Sequence, residues 1–474
     1  MEIMESVVRF IAVAKPIFNR MAVAVGVTIG ILLIGWLSAN HGLRIELWQF
    51  SIVLLLSAVA FLLQHVRSVA LLPYVMAVWA VGPEIRRLLD WSFHVYSETP
   101  ILSLAPYFVS LPLLIPVVSG FKSMNPVLRR IVILFALLMG YGLVLGIVQF
   151  GAVAAVYDFI SYLCPVFILA YVHTAQFGRE VHDRWLKSFS RLAVIVALYG
   201  IVQYLYLPEW DRFWMHHSGM MSIGQPEPLK VRVFSTLNSP GPAGVFFAFA
   251  LGVMVMNKRW RALGLAGMLI VAFALLITLV RSAWVALVVM LIVYFVSSRA
   301  GKAKLSAMLA VLLLAYQFVL PSLPGADAII SRINTLGSLN QDVSYNERLS
   351  FSSSITNAIL YNPIGNGLGS TGLSAKLNNS AIQSFDNGYL NVLYTFGVIG
   401  GIAFIGMLLM LARAAFRSRK IEGNYASLSL SALGALLFLL LGSNILPGVM
   451  GAVFWMLASL AFASHQPEGK GETA

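Results

Sequence analysis

Apolar residues in this chain gather into long runs separated by short polar stretches. Most runs are roughly 17–22 residues long, the length with which a helix crosses a ~30 Å hydrocarbon core. Fourteen spans are predicted, at 21–39, 47–64, 68–83, 100–119, 131–149, 152–172, 192–207, 241–256, 262–280, 282–298, 305–321, 387–412, 428–446 and 449–463. Backbone groups in lipid must find their hydrogen-bond partners within the protein, which leaves helices or closed barrels. These runs are far too long for barrel strands. The expected fold is therefore all-α: a polytopic integral membrane protein with about 14 transmembrane helices, forming a single transmembrane domain over 1–474. Residues 1–20 mix Glu2, Glu5, Arg9, Lys15 and Arg20 with apolar residues and lack a small-residue cleavage pattern. They read as a short interfacial helix broken near Pro16, not as a cleaved signal peptide.

Two polar stretches interrupt the spans, a first loop at 208–240 and a larger one at 322–386. Loops this long in a compact protein are usually functional or disordered. The second contains SYNERLSFSSSITNAILYN, which predicts a short amphipathic helix near 345–361, followed by a glycine-rich turn. This mixed pattern favours an ordered lid.

Composition agrees with the membrane reading. The chain is 59% hydrophobic and 11% charged, against about 25% charged in soluble proteins. The net charge of +13 is explained by sidedness, without nucleic acid. With the N-terminus placed inside, 22 of the 32 basic residues fall on inner segments, among them Arg179, Arg184, Lys187, Arg191, Lys258, Arg259, Arg261, Arg413, Arg417, Arg419 and Lys420. Cytoplasmic segments attract this excess of Lys and Arg, so both termini are expected in the cytoplasm and both long loops in the periplasm. Cys164 is the only cysteine, which excludes an internal disulfide and a zinc–cysteine site. His216-His217 lacks a third ligand at recognisable spacing. No metal and no cofactor are expected.

Basic residues on the outer side run against this bias, and most are arginine: Arg44, Arg86, Arg87, Arg212, Arg232, Arg281, Arg332 and Arg348, beside Lys230 and Lys376. A guanidinium grips phosphate oxygens as a bidentate fork, so such a cluster at the bilayer surface suits a lipid-linked diphosphate. Salt bridges with Glu84, Asp90 and Glu347 are the structural alternative. Arg86 and Asp90, four apart on a short outer helix in GPEIRRLLDW, have the spacing of a helical pair. Arg281 lies between two apolar runs in LLITLVRSAWVALVV, where a charge is costly unless it faces a polar cavity or the interface. In RVFSTLNSPGPAGVFFAFALG, Arg232 precedes a turn and Pro240 and Pro242 open a helix whose N-terminus favours an anion. The second loop carries Asn346-Glu347-Arg348, the turn NPIGNGLGS at 362–370, and Asp386-Asn387 opening the next span. NPIGNGLGS has no flanking strand–turn–helix unit or Lys-Ser/Thr and is not a nucleotide loop. Asp386 reads equally as a general base or as a helix N-cap. Asp158, beside Tyr157 near the outer end of a span, reads as interfacial or hydrogen-bonded.

RVFSTLNSPGPAG, LLITLVRSAWVAL, ERLSFSSSITNAILYNPIGNGLGS and FDNGYLNVLYTFGVIGG, in that order, resemble the motifs of the O-antigen ligase / O-antigen and exopolysaccharide polymerase (Wzy-type) superfamily. The resemblance covers roughly residues 190–412. It implies a metal-independent glycosyltransferase of the membrane C-type (GT-C-like) fold in the bacterial inner membrane. Such an enzyme transfers a glycan from an undecaprenyl-diphosphate carrier to an acceptor hydroxyl at the periplasmic face. Both donor and acceptor are then carrier-linked glycans, and a chain-length regulator is a family expectation as partner. Position by position, the resemblance places Arg232, Arg281 and Arg348 at the diphosphate, with Arg86 and Arg87 as further binding candidates from the outer cluster. Asp386 or Glu347 would take the acceptor proton, with Arg348 beside them in the catalytic group. Ligases of this superfamily typically carry a His before the Asn that opens the helix after the large loop. This chain has Asp386 before Asn387. That departure favours a polymerase of repeat units over a ligase acting on lipid A–core or protein. A transporter of lipid-linked sugars is the reading from another class. It is disfavoured by the lack of an evident inverted repeat.

Overall fold

The computed structural model describes residues 45–298, 343–378, 385 and 387–463. Of the fourteen predicted spans, 21–39 and 305–321 lie outside the described residues. Every described element is helical, apart from one isolated antiparallel bridge between Gly224 and Val231. In chain order the helices are α1 (Ile45–His65), α2 (Leu71–Ser92), α3 (Ile101–Ser119, part 3-10), α4 (Pro126–Phe150), α5 (Ala152–Thr174), α6 (Arg179–Tyr206), α7 (Glu209–Ser218), α8 (Pro240–Met256), α9 (Gly264–Ile277), α10 (Arg281–Ser297), α11 (Val343–Tyr361), α12 (Gly388–Glu422), α13 (Asn424–Leu439) and α14 (Gly448–Ser459). Among the described residues six helices are long and apolar enough to cross a membrane: α1, α3, α4, α5, α6 and the stretch Gly388–Ile421 of α12. Five shorter apolar helices accompany them: α8, α9, α10, α13 and Gly448–Phe462. The protein is an all-helical polytopic membrane protein.

A helix that is apolar all round belongs in a core or in lipid, and the two cases separate here by residue size and burial. α8 is buried continuously from Ala243 to Met254, and α14 from Gly451 to Ser459. α5 is buried over most of its length, from Asp158 through Val172. These three form the interior. α14 packs on α5, and α8 packs on α9 and α10. α1 and α4 instead expose Leu47, Phe50, Leu54, Phe61, Leu137, Val144 and Val148, the side that lipid would cover. α10 lies along α13, and α12 contacts both α4 and α13.

Two elements differ from the sequence expectation. The segment 82–91 is not a separate outer helix: α2 runs unbroken from Leu71 to Ser92 with Pro83 inside it. Pro83 removes one backbone donor, yet flanking hydrogen bonds and packing carry the helix through. Helix α6 begins at Arg179 rather than near 192. Its first turns are polar, so a hydropathy window misses them, while Val181, Trp185, Leu186 and Phe189 bury an apolar stripe. The predicted loop 208–240 contains its own helix, α7, with Glu209 and Asp211 in the first turn where acidic residues complement the helix dipole. The amphipathic helix expected near 345–361 is α11.

Charge sorts to two ends. At one end, the start of α6 meets the α8–α9 connection and the start of α13: Asp183 accepts from Trp260 Nε1 and from the Tyr425 hydroxyl, both at 2.6 Å. The other end carries α7, the segment 219–239 and the α9–α10 turn. At ~1.5 Å per residue, the 28 residues of α6 separate these ends by about 40 Å.

Candidate functional site

The α9–α10 connection is very short. Leu279 adopts left-handed backbone (φ 56°), and Arg281 is the first residue of α10. The segment leading into α8 lies against this turn. Val233 donates its backbone N–H to the Ile277 carbonyl at 3.2 Å. The half-buried Arg232 donates from Nη2 to the Leu279 carbonyl at 3.3 Å. The structure thus brings Arg232 within two residues of Arg281, although the sequence separates them widely. Arg281 also stands at a helix N-terminus, whose backbone N–H groups and dipole add to the positive field. Arg232 therefore lies beside the turn that leads into the helix start at Arg281.

The helix start at Pro240 carries no side-chain cap. Ser239 makes no side-chain capping bond, and Pro240 fills the first helical position.

Arg87 occupies a different environment from the open cluster expected of it. It is 1% exposed. Its Nε lies 2.8 Å from Asp211 Oδ1 and 3.0 Å from Glu84 Oε2, and Nη2 also reaches Glu84. Nη1 donates to the Leu237 carbonyl at 2.7 Å and Nη2 to the Ser235 carbonyl at 2.5 Å. The guanidinium sits against the rings of Phe234 and Trp214. Gln203 and the Tyr199 hydroxyl each donate to Asp211 Oδ2 at 2.7 Å, and Trp210 Nε1 donates to Glu84 Oε1 at 2.6 Å. One cation between two carboxylates closes this cluster. Burial pushes the Asp211 carboxyl up to about 6; Arg87 opposes that and Glu84 adds to it. Arg86, one residue away, points elsewhere. It pairs with Asp90 at 3.3 Å, donates to the Ser97 carbonyl and lies over the Tyr96 ring. Burial raises the Asp90 carboxyl against the pull of Arg86. Arg212 pairs with Glu209 at 2.8 Å.

The NPIGNGLGS turn is wedged among α4, α5 and α12. Asn366 and Gly367 donate to the carbonyls of Tyr394 and Thr395, and Val398 donates back to Pro363. α12 is kinked at this place, with Gly397 at φ 70°. On the other side Leu368 donates to the Gly142 carbonyl at 2.8 Å. A Cβ on Gly146 would strike the Leu368 backbone, and one on Gly367 would strike the backbone of Gly146. Asp158 accepts from the Gly369 N–H at 3.0 Å, which gives this buried carboxylate a structural partner. A polar layer continues from there: Asn391 donates to Thr371 Oγ1 at 2.9 Å, and Asn444 donates to Asn391 Oδ1 at 2.7 Å and to the Tyr162 hydroxyl at 2.5 Å. Sequence reasoning missed Asn391, Asn444 and Tyr162. Buried polar residues within apolar runs were the available signal.

The N-cap of α12 is Asn387, whose side chain accepts from the Leu390 N–H at 3.1 Å. The capping role open to Asp386 therefore belongs to its neighbour. Asp386 itself lies outside the described residues, as do Arg44 and Arg332 and the side chains of Glu347 and Arg348. The backbone of Glu347 and Arg348 is in the first turns of α11. Ile355 and Ile359, four apart on that helix, are buried with Phe385 against Phe351, Leu390, Leu393 and Tyr394. This apolar seam docks α11 on the start of α12. Among the described residues no group of His, Cys, Asp and Glu has the geometry to hold a metal ion.

Residues 266–405 match the family model described as O-antigen ligase (Wzy_C), consistent with an O-antigen ligase/polymerase superfamily. The matched stretch runs from α9 through the kink of α12. It includes Arg281, Arg348, NPIGNGLGS and Asn387, whereas Arg232 and the segment 190–265 lie outside it. Members of this family are glycosyltransferase-like enzymes, ligases and polymerases. No curated protein matches the chain.

Proposed function

We propose that this O-antigen ligase/polymerase-type membrane protein polymerises undecaprenyl-diphosphate-linked oligosaccharide repeat units into exopolysaccharide or O-antigen at the periplasmic face of the inner membrane. One observation carries the reading: the bond from Arg232 to the Leu279 carbonyl, which sets two arginines beside the N-terminus of α10. The acceptor hydroxyl attacks the anomeric carbon of the donor sugar. The bond from that carbon to the diphosphate oxygen breaks, and undecaprenyl diphosphate leaves with the bonding pair. Negative charge grows on the diphosphate, and Arg232 and Arg281 are held where it grows, joined by Arg348 from α11. Preorganised cations at that point lower the barrier more than they lower the ground state. Asp386 or Glu347 takes the acceptor proton. Arg86 and Arg87 support this site through their own partners. The chemistry needs no nucleotide and no metal. Two carrier-linked glycans and the bilayer are the partners, with a chain-length regulator as a further one. The full reading retains about 14 spans and a GT-C-like architecture.

A second reading has a specific observation behind it. The family model matched by residues 266–405 is described as O-antigen ligase, so transfer to lipid A–core or protein is the competing outcome. Asp386 in place of the ligase-type His supports polymerisation.

The test is a reconstituted assay with purified full-length protein and the organism's own carrier-linked repeat unit, resolved as a ladder on a gel. A ladder that Arg281→Ala lowers by about 100-fold or more supports the reading. Product attached only to lipid A–core or protein selects the ligase. Translocation across vesicles without a new glycosidic bond replaces both with transport.

A further inference from the structure

Ser235 is fully buried and adopts left-handed backbone at φ 54°. A non-glycine residue in that region is strained, and it persists where the surroundings over-determine it. Here every polar group of the residue is held. Its N–H donates to Gln203 Oε1 at 2.8 Å, as does the N–H of Phe234 at 3.1 Å. Its carbonyl accepts from Arg87 and from Gln203 Nε2. Its hydroxyl donates to the Val196 carbonyl at 2.5 Å. Arg87 also holds the Leu237 carbonyl, and the Thr236 hydroxyl donates to the Ala80 carbonyl at 2.7 Å. Two helices, α2 and α6, thus both hold the backbone of 234–237. Just before it, the same segment reaches the α9–α10 turn through Val233 to Ile277 and Arg232 to Leu279.

We propose that Arg87 and Gln203 are positioning residues. They clamp segment 234–237 so that Arg232 and, through the 277–281 turn, Arg281 are aimed at the donor diphosphate. This rests on the reading that those two arginines bind a carrier diphosphate. Arg87 itself never touches the substrate. Glu84 and Asp211 hold the guanidinium through Nε and Nη2, and two further N–H donors go to the carbonyls of Ser235 and Leu237.

The test uses full-length protein in lipid nanodiscs, with Arg87→Lys as the main variant. Lysine keeps the charge and loses the fork. Gln203→Met is the second variant, gentler because the buried ion pairs stay in place. Two readouts are taken. The first is hydrogen exchange in peptides covering 231–239 and 277–281, which does not depend on any activity. Exchange in both is expected to rise about tenfold while α5 and α14 keep their protection. The second is kcat/KM for the carrier-linked donor, measured alone and on an Arg232→Ala background. A displaced catalytic group costs roughly 10- to 100-fold, so a loss of that size is expected on the native background. It is expected to shrink once Arg232 is gone, leaving only the part that acts through Arg281, because coupled residues are not additive. Unchanged exchange at 277–281 overturns the proposal. So does an equal loss on both backgrounds, which would mark Arg87 as a direct ligand or a general stability element. If the wild-type protein forms no glycosidic bond, the functional reading falls. The exchange data then decide the clamp alone, raised exchange sustaining it and unchanged exchange overturning it.

Discussion

Arginine is the residue on which this protein turns, and its arginines divide by surroundings rather than by sequence context. Arg86 and Arg87 are adjacent in the chain. One keeps 15% of its side chain exposed beside the buried Asp90 and the Tyr96 ring, while the other is sealed between Glu84 and Asp211. Removing one partner of a buried pair leaves an uncompensated charge and typically costs ~3–5 kcal/mol. Arg87→Ala is therefore expected to lower the melting temperature in detergent more than Arg86→Ala, because Arg87 is 1% exposed between two carboxylates whereas Arg86 is 15% exposed beside one, Asp90. Equal shifts would contradict the burial difference. Asp211 supplies a pH prediction. Burial raises its carboxyl from 3.8 to about 6, so the folded state binds this proton more tightly than the unfolded chain does. Its contribution to stability is complete below about pH 4 and is lost as pH rises through 6. Melting curves between pH 7 and pH 5 should show wild type gaining stability relative to Asp211→Asn as pH falls. A constant gap between the two would refute the raised carboxyl.

At the scale of elements, the glycine-rich turn acts as a wedge that locks three helices. The sequence shows NPIGNGLGS as a glycine-rich turn that is not a nucleotide loop. The structure puts the neighbouring backbones of α4, α5 and α12 against it. Gly367 lies at φ 83°, where a side chain is strained, and its missing Cβ is replaced by the backbone of Gly146. Gly367→Ala should destabilise by more than the ~1–2 kcal/mol of conformational strain alone, because the contact is backbone against backbone. Thermal unfolding in nanodiscs checks this, with Gly151→Ala as a comparison: it shares a positive φ but has open space around it. Similar losses at both positions would mean that the wedge contact contributes nothing. Helix α11 was legible as an element from its amphipathic spacing. The partner of its apolar face was not, because Phe385 and Leu390 lie beyond the glycine-rich turn.

For the whole molecule, orientation is the property most directly open to test. Cys164 is buried, so single cysteines placed elsewhere report without background. Met221 is 95% exposed on the segment between α7 and α8, and Lys420 is exposed near the basic end of α12. A membrane-impermeant maleimide applied to intact spheroplasts is expected to label Met221→Cys and to spare Lys420→Cys until the membrane is opened. The reverse pattern would invert the topology and move the arginine site to the cytoplasm.

Helix content, the approximate place of the described spans and the sorting of charge to two ends are written along the chain itself. Hydropathy, helix length and the cost of a buried charge are set by residues within one or two helical turns. The same locality explains the misses: α6 was shortened because its first turns are polar, and α2 was cut at Pro83 because its support comes from neighbours. The motif order was enough to point to the superfamily that residues 266–405 match. What each arginine does depends on contacts across the sequence. Arg87 meets the Ser235 carbonyl 148 residues away, and Arg232 meets the Leu279 carbonyl 47 residues away. A guanidinium has the same charge and the same fork in either place. Which partners its donors reach is settled by which backbone the packed helices bring near it.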